Sequence, residues 1–561
     1  MTTIIAGMTP SEFIAAMNNN FAEIKYENTT IETITPLSSI SDINGNYSNI
    51  KDESYDTINY TTIATGIKGA SFISSLNGNT SAFLNSSMTI TVGEDKNFTT
   101  IEGAITRSVA GNTLVIDAAT YDEELTFDKE LTIVGSGNRE TIIKATDAGA
   151  MSVPVIAINS SCSFNNLILD KEEGTTAVEH IVEINSGEVN FLNCKIGQNY
   201  NVSQGAYKSQ KPIEINGTSI VTMTDCDIDG QYDTIGSIND SAQLTFTGDV
   251  WRGFRFNING EANVNINIDY IWVGNVTTSC ALHFNDNSVS IVHIELGLKR
   301  FIAATGEEYP DGQFGSVGLV DDDAELTLSG NNIHGGVMTL DTAVNSYVKI
   351  KNVTTTKGRY IWQSGNSAAA TNKVEIRNST LVHDIDDNTG GVHLYEDAPM
   401  GDGVGIEIYD SKLTWTGHSG NWLTWGNPLY GSGPLKMRNV EVIDYCNDRV
   451  ADGYSQTINN RHGNIDLEDC IIRQLEHTGD CVVMTGQFIV DKPVRIRLKN
   501  VQIYNGARNV EIINLTENGR TMDANDYICL DNVTHDGLAN FYEDDSGTSQ
   551  ANFAALQANC P

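Results

Sequence analysis

One short pattern of apolar and polar positions recurs along the chain: apolar, any, apolar, any, Asn or Asp, any, any, apolar. It is visible in NFLNCKI, VTMTDCDI, VKIKNVTT, VEIRNSTL, IEIYDSKL, LKMRNVEV, IDLEDCII and RIRLKNVQI. Its polar corner falls at Asn166, Asn193, Asp225, Asn331, Asn352, Asn378, Asp410, Asn439, Asp469, Asn500 and Asn532. Strict alternation before the corner places one side chain inward and the next outward, as in a half-buried β-strand. Asn and Asp tolerate a positive φ, so the corner reads as a bend between two strands. A recurrence of 21 to 32 residues is the length of one solenoid coil. About fourteen coils stacked ~4.8 Å apart would give a rod of roughly 65 Å. The residue after the corner is often Cys, Val or Ser, small enough to turn inward. Cys194, Cys226 and Cys470 hold that place and are expected to be core thiols rather than ligands or nucleophiles. Between Gly248 and Asn331 the period is poorly resolved, although ANVNINIDYIWVG and SVSIVHIEL still read as strands.

The ends differ from this body. Thr9-Pro10-Ser11-Glu12 has the chemistry of a helix start, and Phe13, Ile14, Met17, Phe21 and Ile24 follow at helical spacing. A second copy of the pattern carries Phe72, Ile73 and Leu76. Two short helices and a Thr/Ser/Asn-rich linker cannot build a core alone. Residues 1–87 are therefore expected to dock onto a larger assembly, or else to cap the next domain. From Ile90 a strand, a helix over Thr99 to Val109 and strands at 113–116, 125–127 and 131–134 are expected to open the β domain, residues 88–535. The tail GTSQANFAALQANCP predicts a final helix, so residues 536–561 read as a C-terminal cap.

Composition narrows the function. The 561 residues hold 34 Lys plus Arg against 72 Asp plus Glu, a formal charge of -38. This argues against binding nucleic acid or anionic lipid, which needs basic patches. Only 19% of residues are charged and 40% are apolar, so a large core is available. No stretch approaches the roughly 18 apolar residues of a membrane span, and no membrane insertion is expected. The start, MTTIIAGMTPSEF, has no basic or continuous apolar region, so no cleaved secretory signal is expected. The nine cysteines are scattered without a CxxC pair, which predicts neither a zinc site nor a disulfide framework, and no cofactor.

Coil length points to where chemistry could sit. From Asn331 to Asn352 the spacing is 21 residues; from Asn378 onward it is 32, 29, 30, 31 and 32. About ten extra residues per coil must leave the stack, at the same turn each time, and so on one side. The first insertion carries His383, Asp384, Tyr395, Glu396 and Asp397. The second carries Trp415, His418, Trp422 and Trp425, and the third Asp448, Asp452 and Tyr454. Trp and Tyr offer flat faces to sugar rings while Asp, Asn and His fix hydroxyls. Residues 383–454 are thus a candidate glycan-contact surface, with Tyr395, Trp415, His418, Trp422, Trp425 and Tyr454 as contacts. The alternative is that these aromatics pack the loops down or fill a subunit interface. Glycoside hydrolysis would need two carboxyl groups about 5 to 9.5 Å apart, for which Asp384, Glu396, Asp397, Asp448 and Asp452 are candidates. Asp225, Asp227 and Asp229 imitate a calcium loop, but Gly236 stands where its bidentate Glu belongs, and the same residues fit the coil repeat.

The block ITVGEDKNFTTIEGAITRSVAGNTLVIDAATYDEELTFDKELTIVGSG resembles the entry cap of right-handed parallel β-helices of the pectin-lyase-like superfamily. That resemblance implies an all-β, single-stranded right-handed parallel β-helix and no particular activity. Polygalacturonases on this fold use a series of acidic, Gly-His-Gly and Arg-Ile-Lys motifs. The nearest equivalents here lie about 80 to 100 residues apart, too many coils to share one site. Such a rod behind a duplicated helix motif resembles tailed-phage tailspike or tail-fibre proteins. GMTPSEFIAAMNNNF and its echo resemble leader segments of virion appendages in crAss-like phages. The resemblance implies a homotrimer in the virion, assembled in the host cytoplasm. It would be anchored to tail or capsid proteins by residues 1–87, through Phe13, Ile14, Met17, Phe72, Ile73 and Leu76, with host surface glycan as ligand. Alternatives are a polysaccharide depolymerase on the same rod, a purely structural head-fibre or tail-collar part, and a bacterial surface β-helix.

Overall fold

The computed structural model describes residues 89–145, 154–171, 180–197, 211–229, 235–253, 256–273, 280–285, 288–301, 308–309, 316–320, 324–334, 336–340, 346–357, 361–363, 373–383, 392–394, 405–415, 429–431, 434–445, 455–460, 464–475, 481–487, 493–504, 513–516, 524–536, 542–544 and 550–561. The expected anchor, with Phe13, Ile14, Met17, Phe72, Ile73 and Leu76, lies outside the described residues. The chain divides into two compact units. Unit 1 is Met1–Asn199 with Gln210–Ile228, and unit 2 is Tyr200–Ser209 with Asp229–Pro561. The fold is the expected all-β parallel β-helix.

In unit 1 each coil supplies three strands. The first column is Asn112–Ile116, Leu131–Gly135, Cys162–Asn165 and Glu188–Leu192, paired in parallel. After the bend a second column follows, Thr120–Asp122, Thr141–Ala145, Leu167–Lys171 and Lys195–Ile196. A third is Leu125–Phe127, Ile156–Ile158, His180–Ile184 and Lys211–Ile215. Every second residue points inward, so equal positions of successive coils stack. Leu114, Ile133, Phe164, Phe191 and Met223 form one such buried column. Phe164 stacks on Phe191 at 5.1 Å and meets the edge of Phe127 at 5.2 Å.

The helix α1 (Ile101–Arg107) closes the first coil, with Ile101, Ala104 and Ile105 buried against it. Its free backbone groups are satisfied at both ends. Thr100 caps the start by accepting from the Gly103 amide at 3.2 Å. The Glu123 carboxylate accepts from the amides of Ile101 and Glu102 at 2.9 and 2.8 Å. At the other end the Lys129 ammonium donates to the carbonyls of Ile105, Thr106 and Ser108. An anion at the N-terminus and a cation at the C-terminus both complement the helix dipole.

The bends match the sequence pattern closely. Asn166, Asn193, Asp225, Asn352, Asn378, Asp410, Asn439, Asp469, Asn500 and Asn532 all have φ between 48° and 58°. Asn331 lies within the strand Glu325–His334, where the register to Tyr347–Lys357 shifts around Gly330. The small residue after the bend turns inward as expected. Cys194, Cys226 and Cys470 are buried, and their thiols face the carbonyls of Leu192, Thr224 and Glu468 two residues back. Ser379 and Ser411 make the same bond to Arg377 and Tyr409. Burial pushes the Cys470 thiol up to about 11.

A second set of corners follows the third strand. In unit 1 the Asn185 amide donates to Asn159 at 3.0 Å and the Asn216 amide to Asn185 at 3.1 Å. In unit 2 Asn259 donates to Asn239 at 2.7 Å, and Asn285 to Asn259. The recurring Ile-Asn and Phe-Asn pairs at these places are plain in the sequence.

Unit 2 begins with long strands, Gln243–Gly253, Phe256–Val273, Val289–Phe301 and Glu325–His334. These run through the place where other coils bend, with register shifts at Asn267/Tyr270 and His293/Gly297. That is why the period is poorly resolved from Gly248 onward. Coils bent at Asn352, Asn378, Asp410, Asn439, Asp469 and Asn500 follow through Tyr527–Asp531.

The helix α2 (Gln550–Ala558) lies against Tyr527–Asp531, with Leu556 buried and Phe553 stacked on Tyr542 at 5.4 Å. Here the sequence reading needs correction. Cys529 and Cys560 form a disulfide across a Cα separation of 5.3 Å. Neither lies in a CxxC pair, so spacing alone could not reveal a bridge that depends on the helix folding back.

Candidate functional site

The long coils of unit 2 release their extra residues at one turn. The second strand of successive coils ends in a paired column, His383, Trp415, Asp444 and Gln474. The third strands pair through another column, Val392, Leu429, Ile458, Met484 and Ile513. Segments 384–391, 416–428, 446–454 and 476–480 thus leave from one column and return to another, rising about 4.8 Å per coil. The extra residues therefore enter each coil at the same turn, as the coil lengths predict. Tyr395, His418, Trp422, Trp425 and Tyr454 lie outside the described residues, as do Asp384, Glu396, Asp397, Asp448 and Asp452.

Trp415 is described, and it corrects the sequence reading. Its side chain is only 2% exposed. Along Ser411, Leu413 and Trp415 alternation points each side chain inward, so the indole fills the coil interior and offers no face to a sugar. The next coils place polar groups at the same inward position. The buried Thr457 hydroxyl donates to Asp444 Oδ2 at 2.9 Å and accepts from Gln474 Nε2 at 2.8 Å. Asp444 and Thr457 flank segment 446–454, so this cross-link ties the two ends of that loop across the coil interior. Composition alone did not single these residues out. The signal was a polar residue at the inward place of Val440, Val442, Asp444 and of Cys470, Ile472, Gln474.

Outward on the same second strands, Glu441 is held by Lys412 at 3.1 Å and Arg473 at 2.9 Å. Burial works against its charged form, but the hydrogen bonds from Arg473 and Lys412 outweigh it and the carboxyl falls below its usual range. The Arg473 guanidinium sits 4.5 Å from the Tyr504 ring centre. A shallow groove follows the bends and is lined by Asn378, Asp410, Lys412, Glu441 and Asp469. Asn439 donates to Asp410 and Asn500 to Asp469, each at 2.8 Å. These groups can bind hydroxyls. Among the described residues, the carboxyls with a displaced pKa (Glu375, Glu407, Glu441 and Glu468) all move down, the opposite of what a general acid requires.

The aspartates resembling a calcium loop lie on a strand, Ile220–Asp229, rather than a loop. Asp225 forms the bend, Asp229 is buried, and the Asp227 carboxylate is paired with Arg139. Arg139 also donates to the Asn193 carbonyl at 3.2 Å and the Asp225 carbonyl at 2.6 Å. It therefore bolts three coils of unit 1 together. Among the described residues no three His, Cys, Asp or Glu side chains gather as metal ligands. A comparison with protein-family descriptions finds no match to this chain, and no curated protein is significantly similar to it.

Proposed function

We propose that the chain is a tailed-phage virion appendage, a tailspike or tail fibre, that recognises host surface polysaccharide through the loops of residues 383–454. The observation that carries this reading is the pair of stacked columns from which successive loops leave and to which they return. A rigid solenoid holding several polar and aromatic loops in a row suits a ligand that is itself a linear repeat, because each coil meets the next stretch of polymer. The buried Asp444–Thr457–Gln474 cross-link fixes the base of one loop, which lowers the ordering cost of binding. In this reading the protein acts as a homotrimer, with residues 1–87 docked on tail or capsid proteins. The test is a double variant, Trp422→Ala with Trp425→Ala, in the full chain, assayed for retention on host polysaccharide. Each lost sugar-stacking face should weaken binding by about tenfold. Unchanged binding by a folded double variant rejects the reading.

A further inference from the structure

Among the described residues the free cysteines are Cys162, Cys194, Cys226 and Cys470, all buried. Two of them stand side by side. In unit 1, Leu192 pairs with Thr224 and Lys195 with Asp227, which sets Cys194 directly opposite Cys226 on the next coil. The two strands are joined at this place: the Asn193 amide donates to the Thr224 carbonyl and the Asp227 amide to the Cys194 carbonyl, each at 2.9 Å. Paired residues of neighbouring strands lie about 4.8 Å apart, within the roughly 4.4–6.8 Å that a disulfide spans between Cα atoms. The Cys194 thiol is hydrogen-bonded to the Cys226 sulfur. The other two thiols lie between aliphatic residues. Cys162 pairs in register with Leu131 and Val189, and Cys470 falls between Val440 and Val501.

The surroundings make the paired sulfurs unequal. The hydrogen bond to Cys226 and burial push the Cys194 thiol up. At Cys226 the hydrogen bond from Cys194 outweighs burial, and the Cys194 amide and the Arg139 charge add to it, so this thiol is held below its usual range. Arg139 is well placed for that. Its guanidinium donates to the carbonyls of Asn193 and Asp225, the residues just before the two cysteines, and pairs with Asp227. Burial instead pushes Cys162 and Cys470 up to about 11. The thiolate is the nucleophilic form of cysteine. One sulfur of the pair is thus prepared to attack, and the other, one coil away, to resolve.

We propose that Cys194 and Cys226 are a dithiol pair that peroxide oxidises to a disulfide joining neighbouring coils. The Cys226 thiolate attacks one oxygen of hydrogen peroxide and the O–O bond breaks. Cys226 becomes a sulfenic acid, and the departing hydroxide takes up a proton to give water. The Cys194 sulfur then attacks the Cys226 sulfur. The S–S bond forms, the sulfenic S–O bond breaks, and the hydroxyl leaves with the Cys194 proton as a second water. The two sulfurs together lose two electrons, and peroxide gains them. The oxidant has to be small, because both thiols are 0% exposed. Hydrogen peroxide is little larger than water and enters through local opening of the bend, where a bulky disulfide would not. The proposal does not rest on the polysaccharide reading, which concerns residues 383–454.

The test is to hold the reduced full-length protein in about 1 mM hydrogen peroxide, alkylate the remaining thiols in denaturant and map the peptides by mass. A peptide pair linked through Cys194 and Cys226, separated again by dithiothreitol, is expected to become the main oxidised product. It should form at least ~10-fold faster than Cys162 or Cys470 is lost to alkylation. Cys226→Val removes the attacking sulfur, so Cys194 should then remain a thiol for as long as Cys162 and Cys470 do. Valine is the residue at the same place in the coils of Val440 and Val501, so the variant keeps a side chain that suits the column. If it fails to fold, the wild-type map decides alone. Full alkylation of both Cys194 and Cys226 after a day in peroxide, a link no faster than the loss of Cys162 and Cys470, or Cys194 oxidised as fast in folded Cys226→Val as in wild type overturns the proposal. Loss or retention of polysaccharide binding in the Trp422/Trp425 variant leaves this outcome untouched.

Discussion

Within unit 2, the coils from Gln243 to Ser329 and those from Lys373 to Lys499 have the same interior and opposite exteriors. Inside, Leu244, Val264, Val292 and Leu328 correspond to Ile376, Ile408, Met437 and Leu467, all buried. Outside, the first stretch shows mainly Thr, Asn, Val and Ile, with Glu261, His293 and Glu325 among them, and the second shows Lys, Arg, Glu and Tyr. Their corners differ as well. The second stretch bends at Asn378, Asp410, Asn439 and Asp469 with positive φ, whereas strands of the first run through the corner. The fold therefore asks only for aliphatic residues at alternate positions. Corner and outer face are free to vary, so what they show reflects what each stretch meets.

The shared interior gives the largest expected effects. Val264→Ala and Ile376→Ala each remove a fully buried side chain from a column in which it touches coils above and below. Each should destabilise unit 2 by about 2–4 kcal/mol, read by denaturant unfolding. Similar losses at both sites sustain the idea of one common core. A loss confined to Ile376 would mean that the long-stranded coils are held by something other than their inner column.

The corners separate the two stretches at the next level. Asn439 holds φ 54° and its amide donates to Asp410 at 2.8 Å. Asn439→Ala puts a less tolerant residue into the left-handed region and deletes that bond, so a loss of about 1–2 kcal/mol is expected. Asn331 lies in the strand Glu325–His334 beside the register irregularity at Gly330, and Asn331→Ala should cost less than ~0.5 kcal/mol. Equal losses from the two variants would erase the distinction between bent and run-through corners.

The sequence made the interior and the bends legible because both are local: alternation marks the inner column, and Asn or Asp marks a positive φ. Near Asn331 the register shifts around Gly330, an irregularity that the local pattern does not announce. The Cys529–Cys560 bridge and the Arg139 clasp were hidden, since each joins residues whose proximity depends on how the chain returns. Of the candidate glycan surface, the common turn of the loops was legible from coil length. The burial of Trp415 could have been, because alternation from Ser411 already points it inward. Asp444, Thr457 and Gln474 needed the third strand brought opposite the second.

The smallest effects belong to the charged exterior, and they carry a definite sign with pH. Burial raises the cost of charging Glu375, Glu407 and Glu441. Hydrogen bonds from Tyr347 and Arg377, from Tyr409 and Lys373, and from Arg473 and Lys412 more than offset it, so all three titrate below their ordinary 4.5. A carboxyl with a depressed folded-state pKa binds fewer protons folded than unfolded. Its contribution is therefore complete above the ordinary value and disappears as pH falls through the folded one. Unit 2 should lose stability on acidification from about pH 5 downward, and Glu441→Gln should flatten part of that slope by a few tenths of a kcal/mol, the scale of half-exposed ion pairs. Thr245→Val, on the stretch poorer in charge, should leave the slope as it is. If Glu441→Gln and Thr245→Val gave the same acid profile as the wild type, the ion pairs from Lys373 to Lys499 would be solvent ornament rather than a stabilising lattice, and the contrast between the two exteriors would lose its energetic half.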